Sequence, residues 1–80
     1  MRIDKFLKNS RLIKRRTIAK DACDGGRVSI NDKVAKAGDV VKLGDLIEIR
    51  FGSNTLRVEV VDVPKVATKE SAGEMYRIVE

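Results

Sequence analysis

The 80-residue sequence has no histidine and no tryptophan, one cysteine, one proline, two phenylalanines and one tyrosine. A single Cys23 cannot form an internal disulfide, so a reducing, intracellular setting is the expectation. Without histidine, zinc sites and acid–base catalysis lose their usual ligand and base. We therefore expect no metal and no cofactor, and we interpret Cys23 as a small core residue and not as a nucleophile.

Long apolar runs are also missing. No stretch approaches the roughly 18 residues that a membrane-spanning helix needs. The N-terminal segment MRIDKFLKNS has no apolar region of the signal-peptide type. These two features predict a cytoplasmic protein without a membrane partner.

Catalytic patterns are equally scarce. The sequence has no glycine-rich phosphate loop, no serine paired with a base, and no matched pair of carboxylates in an apolar setting. A chain of this length forms one domain and buries only about 60% of its unfolded surface, which leaves no room for a deep active site. We expect a protein that is not an enzyme and has no catalytic residues.

Positive charge is abundant and unevenly distributed. The net charge is +5, with 12 Lys+Arg against 5 Asp+Glu in residues 1–42 and 5 against 7 in residues 43–80. Such asymmetry predicts a nucleic-acid or membrane contact on the basic half. The alternative is a solvated face that only keeps the protein soluble.

The charge is densest between Arg11 and Arg27, in RLIKRRTIAKDACDGGR. Five of the first ten residues of this stretch are cationic and none is acidic. A helix start is unfavourable for positive charge because the macrodipole already places partial positive charge there. An external polyanion is the expected compensation. The cations concerned are Arg11, Lys14, Arg15, Arg16 and Lys20.

Apolar spacing predicts a first helix over residues 2–9, with one face entering the core. That face consists of Ile3, Phe6 and Leu7. A separate basic face consists of Arg2, Lys5 and Lys8. Asp4 lies in the first turn, where it caps the helix or braces a neighbouring arginine, and the sequence leaves both alternatives open.

A turn at Asn9–Ser10 and apolar anchors at Leu12 and Ile13 lead to a second helix, predicted from about 15 to 24. Its core side is predicted to be Ile18, Ala19 and Ala22, with Cys23 at the edge. Arg16 and Lys20 lie on the adjacent flank, next to Thr17 and Asp24. Gly25–Gly26 offers the positive φ that ends many helices.

The remaining sequence predicts strands. Residues 28–30 and 33–36 form a hairpin around Asn31–Asp32, which tolerate left-handed conformations. After a connector at 37–46, residues 46–51 and 55–63 form a second hairpin, which ends at Pro64. Phe6 and Phe51 are assigned to the core. Residues 65–72 are polar, and 74–79 is predicted to be a short helix or turn.

The fold class is therefore α+β, with two N-terminal helices packed on a small twisted antiparallel sheet and a short C-terminal tail helix or turn. Four segments resemble the RNA-binding domain first seen in the fourth small-subunit ribosomal protein: Arg2–Leu7, Lys14–Arg16 with Ala19–Lys20, Gly26–Val28 with Asn31, and Val41–Asp45. The resemblance implies an RNA-binding domain at 1–51, and the C-terminal strand and tail at 52–80 are expected to complete the same single domain.

Because the domain stands nearly alone, the chain resembles the small ribosome-associated proteins of the heat-shock-fifteen type, and quality-control factors among them. This implies a monomer that binds the rRNA of large ribosomal subunits obstructed by peptidyl-tRNA. It also implies tRNA contact and support for untemplated alanine-tail addition, alongside a tail-elongation factor on the same subunit. The alternative within this resemblance is a general rRNA- or tRNA-binding recycling or assembly factor.

The resemblance implies RNA contacts at Arg2, Asp4 and Arg16, with Lys5, Lys8, Arg15, Thr17, Lys20 and Arg27 around them. Arg11 and Lys14 join this predicted site through their charge. Two departures from the family pattern are visible. Asp32 replaces a hairpin glycine, and Arg15 replaces a Ser or Thr helix cap, whose loss costs about 1 kcal/mol. Two other hypotheses remain: a module for DNA or free tRNA, and a protein adaptor that uses Leu56 to Val61.

Overall fold

A computed structural model of the chain describes residues 1–63 and 74–79. Two helices precede one five-stranded antiparallel sheet whose strand order is β2-β1-β3-β4-β5. The elements are α1 (Ile3–Asn9), α2 (Arg16–Asp24), β1 (Val28–Ile30), β2 (Lys33–Val34), β3 (Leu46–Phe51), β4 (Asn54–Val60) and β5 (Tyr76–Ile78). This architecture confirms the predicted α+β class.

The core lies between the helices and one face of the sheet. Ile3, Phe6 and Leu7 of α1 are fully buried, which confirms the predicted apolar face of that helix. Facing them are the inward side chains of the sheet, among them Ile49 and Val58, which are also fully buried. Each such side chain contributes about 1.5–3 kcal/mol relative to an exposed one.

α2 packs through a narrower face than the sequence predicted. Ala19 and Cys23 are fully buried and Ala22 nearly so, but Ile18 is 51% exposed. The prediction that Ile18 lies in the core is therefore wrong. Small side chains allow a close approach of α2 to its neighbours, and Ile18 lies at the margin of their arc. Phe51 is likewise 45% exposed, because it ends β3 at the hairpin turn, opposite Asn54 and beyond the core.

The β1–β2 hairpin turns at the predicted pair. Asn31 and Asp32 have φ values of 50° and 68°, so both are left-handed, as a two-residue hairpin turn of type I′ requires. The Asn31 Nδ2 group donates to Asp45 Oδ1 at 3.1 Å, and Asn31 Oδ1 accepts from the Leu46 N–H at 3.0 Å. The hairpin is thereby fastened to the turn that precedes β3.

Two strands are shorter than predicted, and one element is of a different type. β2 ends at Val34 and β4 ends at Val60. The segment predicted as a tail helix or turn instead contains strand β5, which pairs with β4 in the register Val58↔Ile78 and Val60↔Tyr76. Backbone pairing with a distant strand overrides the weak local pattern of this segment. Pro64 and the predicted polar segment 65–72 lie outside the described residues.

Candidate nucleic-acid interface

The buried carboxylate of Asp4 is the central feature of the basic surface. Asp4 is 2% exposed. Its Oδ2 atom accepts from Arg2 Nη2 at 3.3 Å and from Arg16 Nε at 3.4 Å, while Oδ1 accepts from the Lys5 N–H at 2.7 Å. The bracing role that the sequence left open is therefore present, and the same carboxylate accepts one N–H of the first helical turn, although the N-cap residue Arg2 makes no capping hydrogen bond.

The two arginines remain available to solvent although they share this carboxylate. The Arg2 side chain is 52% exposed and that of Arg16 is 50% exposed. Each guanidinium uses one nitrogen on Asp4, and within residues 1–63 and 74–79 neither makes a second ion pair. A guanidinium has five N–H donors, so each group keeps donors that Asp4 does not use. This places two pre-oriented cations side by side.

The start of α1 is held by residues of the predicted connector at 37–46. The Ile3 N–H donates to the Asp39 carbonyl at 2.7 Å, and the Asp4 N–H donates to the Ala37 carbonyl at 3.4 Å. Arg2 forms an isolated antiparallel bridge with Val40. These backbone bonds fix the position of Arg2 and Asp4, although the connector has no apolar pattern that predicts such a contact.

The loop between the helices sets where α2 begins. Ser10 follows α1 as a nearly buried cap residue, and its hydroxyl donates to the Leu7 carbonyl at 3.2 Å. Arg11 is left-handed, with φ 63°, and reverses the chain so that Ile13 becomes buried. The first turn of α2 thus comes close enough to α1 for Arg16 to reach Asp4, twelve positions away in sequence.

The start of α2 lacks a side-chain cap, as the sequence predicted. Arg15 occupies the N-cap position without a capping hydrogen bond, and the first turn contains no acidic residue. The first N–H groups of an uncapped helix point outward with partial positive charge and favour an anion. Arg15 and Arg16 add formal charge at the same end.

The structure brings together Arg2, Asp4 and Arg16, and it places the other predicted contacts on the surface of the same two helices and their flanks. Lys20 lies one turn after Arg16 on α2, on the same side of the helix. Arg27 follows the other end of α2, immediately before β1. All the predicted site residues apart from Asp4 are exposed: Arg2, Lys5, Lys8, Arg11, Lys14, Arg15, Arg16, Thr17, Lys20 and Arg27.

Cys23 lies beneath this surface, fully buried. Burial raises the pKa of its thiol from 9.0 to about 11, and the nearby carboxylates of Asp4, Asp24 and Asp39 act in the same direction. The thiol is therefore protonated at neutral pH, consistent with a core residue. Within residues 1–63 and 74–79, no group of three or more His, Cys, Asp or Glu side chains could hold a metal ion.

We expect Cys23 to resist alkylation in the folded protein. At pH 8 the thiolate fraction of a thiol with a pKa of about 11 is on the order of 100-fold below that of an ordinary thiol. Iodoacetamide labelling followed by mass spectrometry should therefore be slow in buffer and fast in denaturant. Fast labelling of the folded chain would contradict the buried position.

The same shift predicts how stability depends on pH. The folded thiol keeps its proton to higher pH than the unfolded thiol, so this contribution to stability is complete below pH 9.0 and is lost as pH rises through about 11. The free energy of unfolding, measured with denaturant, should be lower at pH 10.5 than at pH 8. This difference should be smaller in a Cys23→Ala variant.

Two helices that share a buried carboxylate, joined to a small antiparallel sheet, define an RNA-binding domain of the S4 class. Residues 1–47 match the S4 domain family. The chain is 54% identical to the RQC P-site tRNA stabilizing factor of Halalkalibacterium halodurans, over 98% of this chain and 89% of that protein. It is 51% identical to the factor of the same name in Bacillus subtilis, over 100% of this chain and 93% of that protein. The chain belongs to this family of S4-domain proteins.

A solved structure agrees with this assignment. Heat shock protein 15 of Vibrio cholerae, whose structure is described as trimeric, superimposes with a TM-score of 0.89 at 28% identity. The similarity covers 99% of this chain and 81% of that protein. The sequence relatives and this solved structure together confirm the resemblance to the heat-shock-fifteen-like group that the sequence indicated. None of the helices in the described part of the chain is long and apolar enough to cross a membrane.

Proposed function

We propose that this protein is an RNA-binding factor of ribosome-associated quality control. It binds large ribosomal subunits obstructed by peptidyl-tRNA and contacts both rRNA and tRNA. The observation that carries the proposal is the pair of half-exposed guanidinium groups that share the buried carboxylate of Asp4. Membership of a family whose relatives are named P-site tRNA stabilizing factors supports the identity of the target.

The mechanism is binding and needs no catalysis. Arginine presents a planar fork that matches two phosphate oxygens. The affinity of this contact depends on how well the fork is oriented before binding. Asp4 supplies that orientation for Arg2 and Arg16, so less rotamer entropy is lost when RNA arrives. The uncapped start of α2 adds backbone N–H donors beside them.

Recognition of this kind responds to RNA shape, backbone and 2′-hydroxyl groups and not to base sequence. The chain has three aromatic residues. Phe6 is fully buried and Tyr76 is partly buried against the core, and the exposed Phe51 is a single ring at the β3–β4 turn, so the three do not form a stacking platform for bases. Affinity should therefore depend strongly on salt, since it comes mainly from phosphate contacts.

The finer proposal concerns what the bound factor does. By holding the tRNA on the obstructed subunit, it would keep the nascent chain in place while a tail-elongation factor on the same subunit adds an untemplated alanine tail. The tail marks the stalled chain for degradation. The name of the relatives, which refers to stabilising a P-site tRNA, supports this role.

Sedimentation tests the proposal. Purified protein is mixed with large subunits that carry peptidyl-tRNA, with vacant large subunits, or with small subunits, and centrifuged through a sucrose gradient at physiological salt. We expect it to comigrate preferentially with the obstructed large subunits and to resist competition by duplex DNA. Equal binding to vacant and obstructed subunits would favour a general assembly or recycling factor, and failure to bind any subunit would contradict the proposal.

A further inference from the structure

The face of the sheet that points away from the core carries four arginines in two different situations. Side chains alternate along a strand. Because Ile47 and Ile49 of β3 are buried, the residues between and beyond them face outward. We call this the outer face, and its arginines are Arg27, Arg50, Arg57 and Arg77.

Two of these arginines are neutralised by a glutamate on the neighbouring strand. Arg57 Nε donates to Glu48 Oε2 at 3.2 Å, and Arg77 Nε donates to Glu59 Oε1 at 2.6 Å. Both pairs follow the strand register, in which Glu48 lies opposite Arg57 and Glu59 lies opposite Arg77. Cross-strand pairs of opposite charge are a common way to stabilise an exposed sheet face.

Arg27 and Arg50, by contrast, lie opposite each other, and neither lies opposite a glutamate. The Arg50 N–H donates to the Arg27 carbonyl at 2.9 Å, which extends the β1–β3 ladder by one pair beyond Val28↔Ile49. The two arginines therefore face each other across the strands. On the other side of Arg50 the partner is Thr55, which is neutral. Within residues 1–63 and 74–79, neither arginine has a carboxylate within ion-pair distance.

This arrangement has no evident benefit for the fold. Like charges directly opposite each other on a sheet are destabilising. The positive charge of Arg27 is stabilised by the helix dipole, because Arg27 lies near the C-terminal end of α2. Its Nε atom is 3.7 Å from the point that a Cβ atom would occupy at Gly25. Arg50 lies in a strand and has no such compensation. An external anion is the natural partner of this pair.

We propose that Arg27 and Arg50 form a second phosphate-binding site for RNA, with Thr55 as a neutral neighbour of Arg50 on the side away from Arg27. The inference rests on the proposed function, since it assumes an RNA target. The Asp4 cluster lies at the N-terminal end of α2 and Arg27 follows its C-terminal end, and a helix of this length spans about 13 Å. One phosphate group cannot contact both sites, so the second site takes a different part of the RNA backbone.

Variants at Arg50 test the second site, and Arg57 supplies a matched control. Arg50→Gln and Arg57→Gln each remove one positive charge from the same face of the sheet. We expect Arg50→Gln to weaken binding to obstructed subunits by roughly 2- to 5-fold, and Arg27→Gln/Arg50→Gln by roughly 4- to 25-fold. Each lost contact should reduce the slope of log K against log salt concentration by about 1. Arg57→Gln should leave both quantities near the wild-type values.

Thermal unfolding separates this site from a structural role. Removing one of two opposed cations should leave the melting temperature of Arg50→Gln unchanged or higher. A lower melting temperature, or equal losses of affinity in Arg50→Gln and Arg57→Gln, would overturn the inference. If Arg16→Ala weakens binding and the Arg27/Arg50 double variant does not, the second site is wrong while the proposed function stands. If neither weakens binding, the proposed function fails as well.

The same variants identify which RNA supplies the phosphate. Binding is measured on large subunits with peptidyl-tRNA and on vacant large subunits. A loss in Arg50→Gln that occurs only with peptidyl-tRNA assigns the site to tRNA, and an equal loss on both assigns it to rRNA. Either result supports a phosphate site, and the absence of a loss on both overturns it.

Discussion

Arg16→Ala is expected to lower the affinity for obstructed large subunits by about 10- to 100-fold, the scale of a charge-assisted contact made by an oriented guanidinium. Arg16 uses its Nε atom on Asp4, and within residues 1–63 and 74–79 its two NH₂ groups make no ion pair. Equilibrium binding to purified obstructed subunits at fixed salt measures the loss. Asp4 keeps Arg2 and the Lys5 N–H as partners, so the variant should stay folded, with a stability loss of about 1 kcal/mol.

Arg16→Lys is the informative companion variant. Lysine keeps the charge but presents a single ammonium group in place of a planar fork. If Arg16 contacts RNA through a bidentate fork, the affinity of Arg16→Lys for obstructed subunits should lie between those of the wild type and Arg16→Ala. Wild-type affinity of Arg16→Lys would indicate that only the charge at this position matters, and the proposed bidentate contact would then be wrong.

Asp4→Asn is expected to have the largest effect on stability. The amide cannot accept from Arg2, Arg16 and the Lys5 N–H together, and in either orientation its NH₂ group would face a donor, the two guanidinium groups in one case and the Lys5 N–H in the other. Loss of hydrogen bonds to a buried charged group costs about 2 kcal/mol, which corresponds to a decrease of roughly 10 °C in the melting temperature of a domain this small. Scanning calorimetry measures this decrease.

RNA binding should fall in the same variant, since Arg2 and Arg16 lose the carboxylate that orients them. The matched control is Asp21→Asn, which removes a negative charge from an exposed position of α2 and should change stability by no more than about 0.5 kcal/mol. If both variants melted at the same temperature, Asp4 would not have the bracing role that the contacts describe.

The helical half of the fold was predictable because its signals are local. The 3.6-residue spacing of Ile3, Phe6 and Leu7 identified the buried face of α1 correctly. The glycines after Asp24 marked the end of α2, and Gly26 has the expected positive φ of 78°. Ile18 was misassigned because periodicity gives a direction around the helix and not the width of the contact.

The sheet was less predictable because its pairing is non-local. Tyr76–Ile78 becomes a strand only because β4 offers an unpaired edge, with Val60 opposite Tyr76. Phe51 looked like a core residue from its side chain, and only the position of the hairpin shows that it lies beyond the core. The sequence does not mark Arg50 as a site residue for the same reason, since its position opposite Arg27 follows from strand register.

The candidate site was identified residue by residue, but its assembly was not. Arg2, Asp4 and Arg16 were selected through family resemblance, and the sequence left the role of Asp4 open. The contact between Asp4 and Arg16 depends on the left-handed Arg11 and the buried Ile13. The backbone support from Ala37 and Asp39 depends on a loop with no apolar pattern of its own.

The comparison of Arg16→Ala with Arg57→Ala on obstructed large subunits tests the central claim most directly. Both variants remove one exposed arginine that is paired with one carboxylate, on α2 in one case and on the sheet in the other. If the two-helix surface binds RNA, the ratio of the two dissociation constants should be about 10 or more. A ratio near 1 would show that only the overall charge matters, and it would contradict the account.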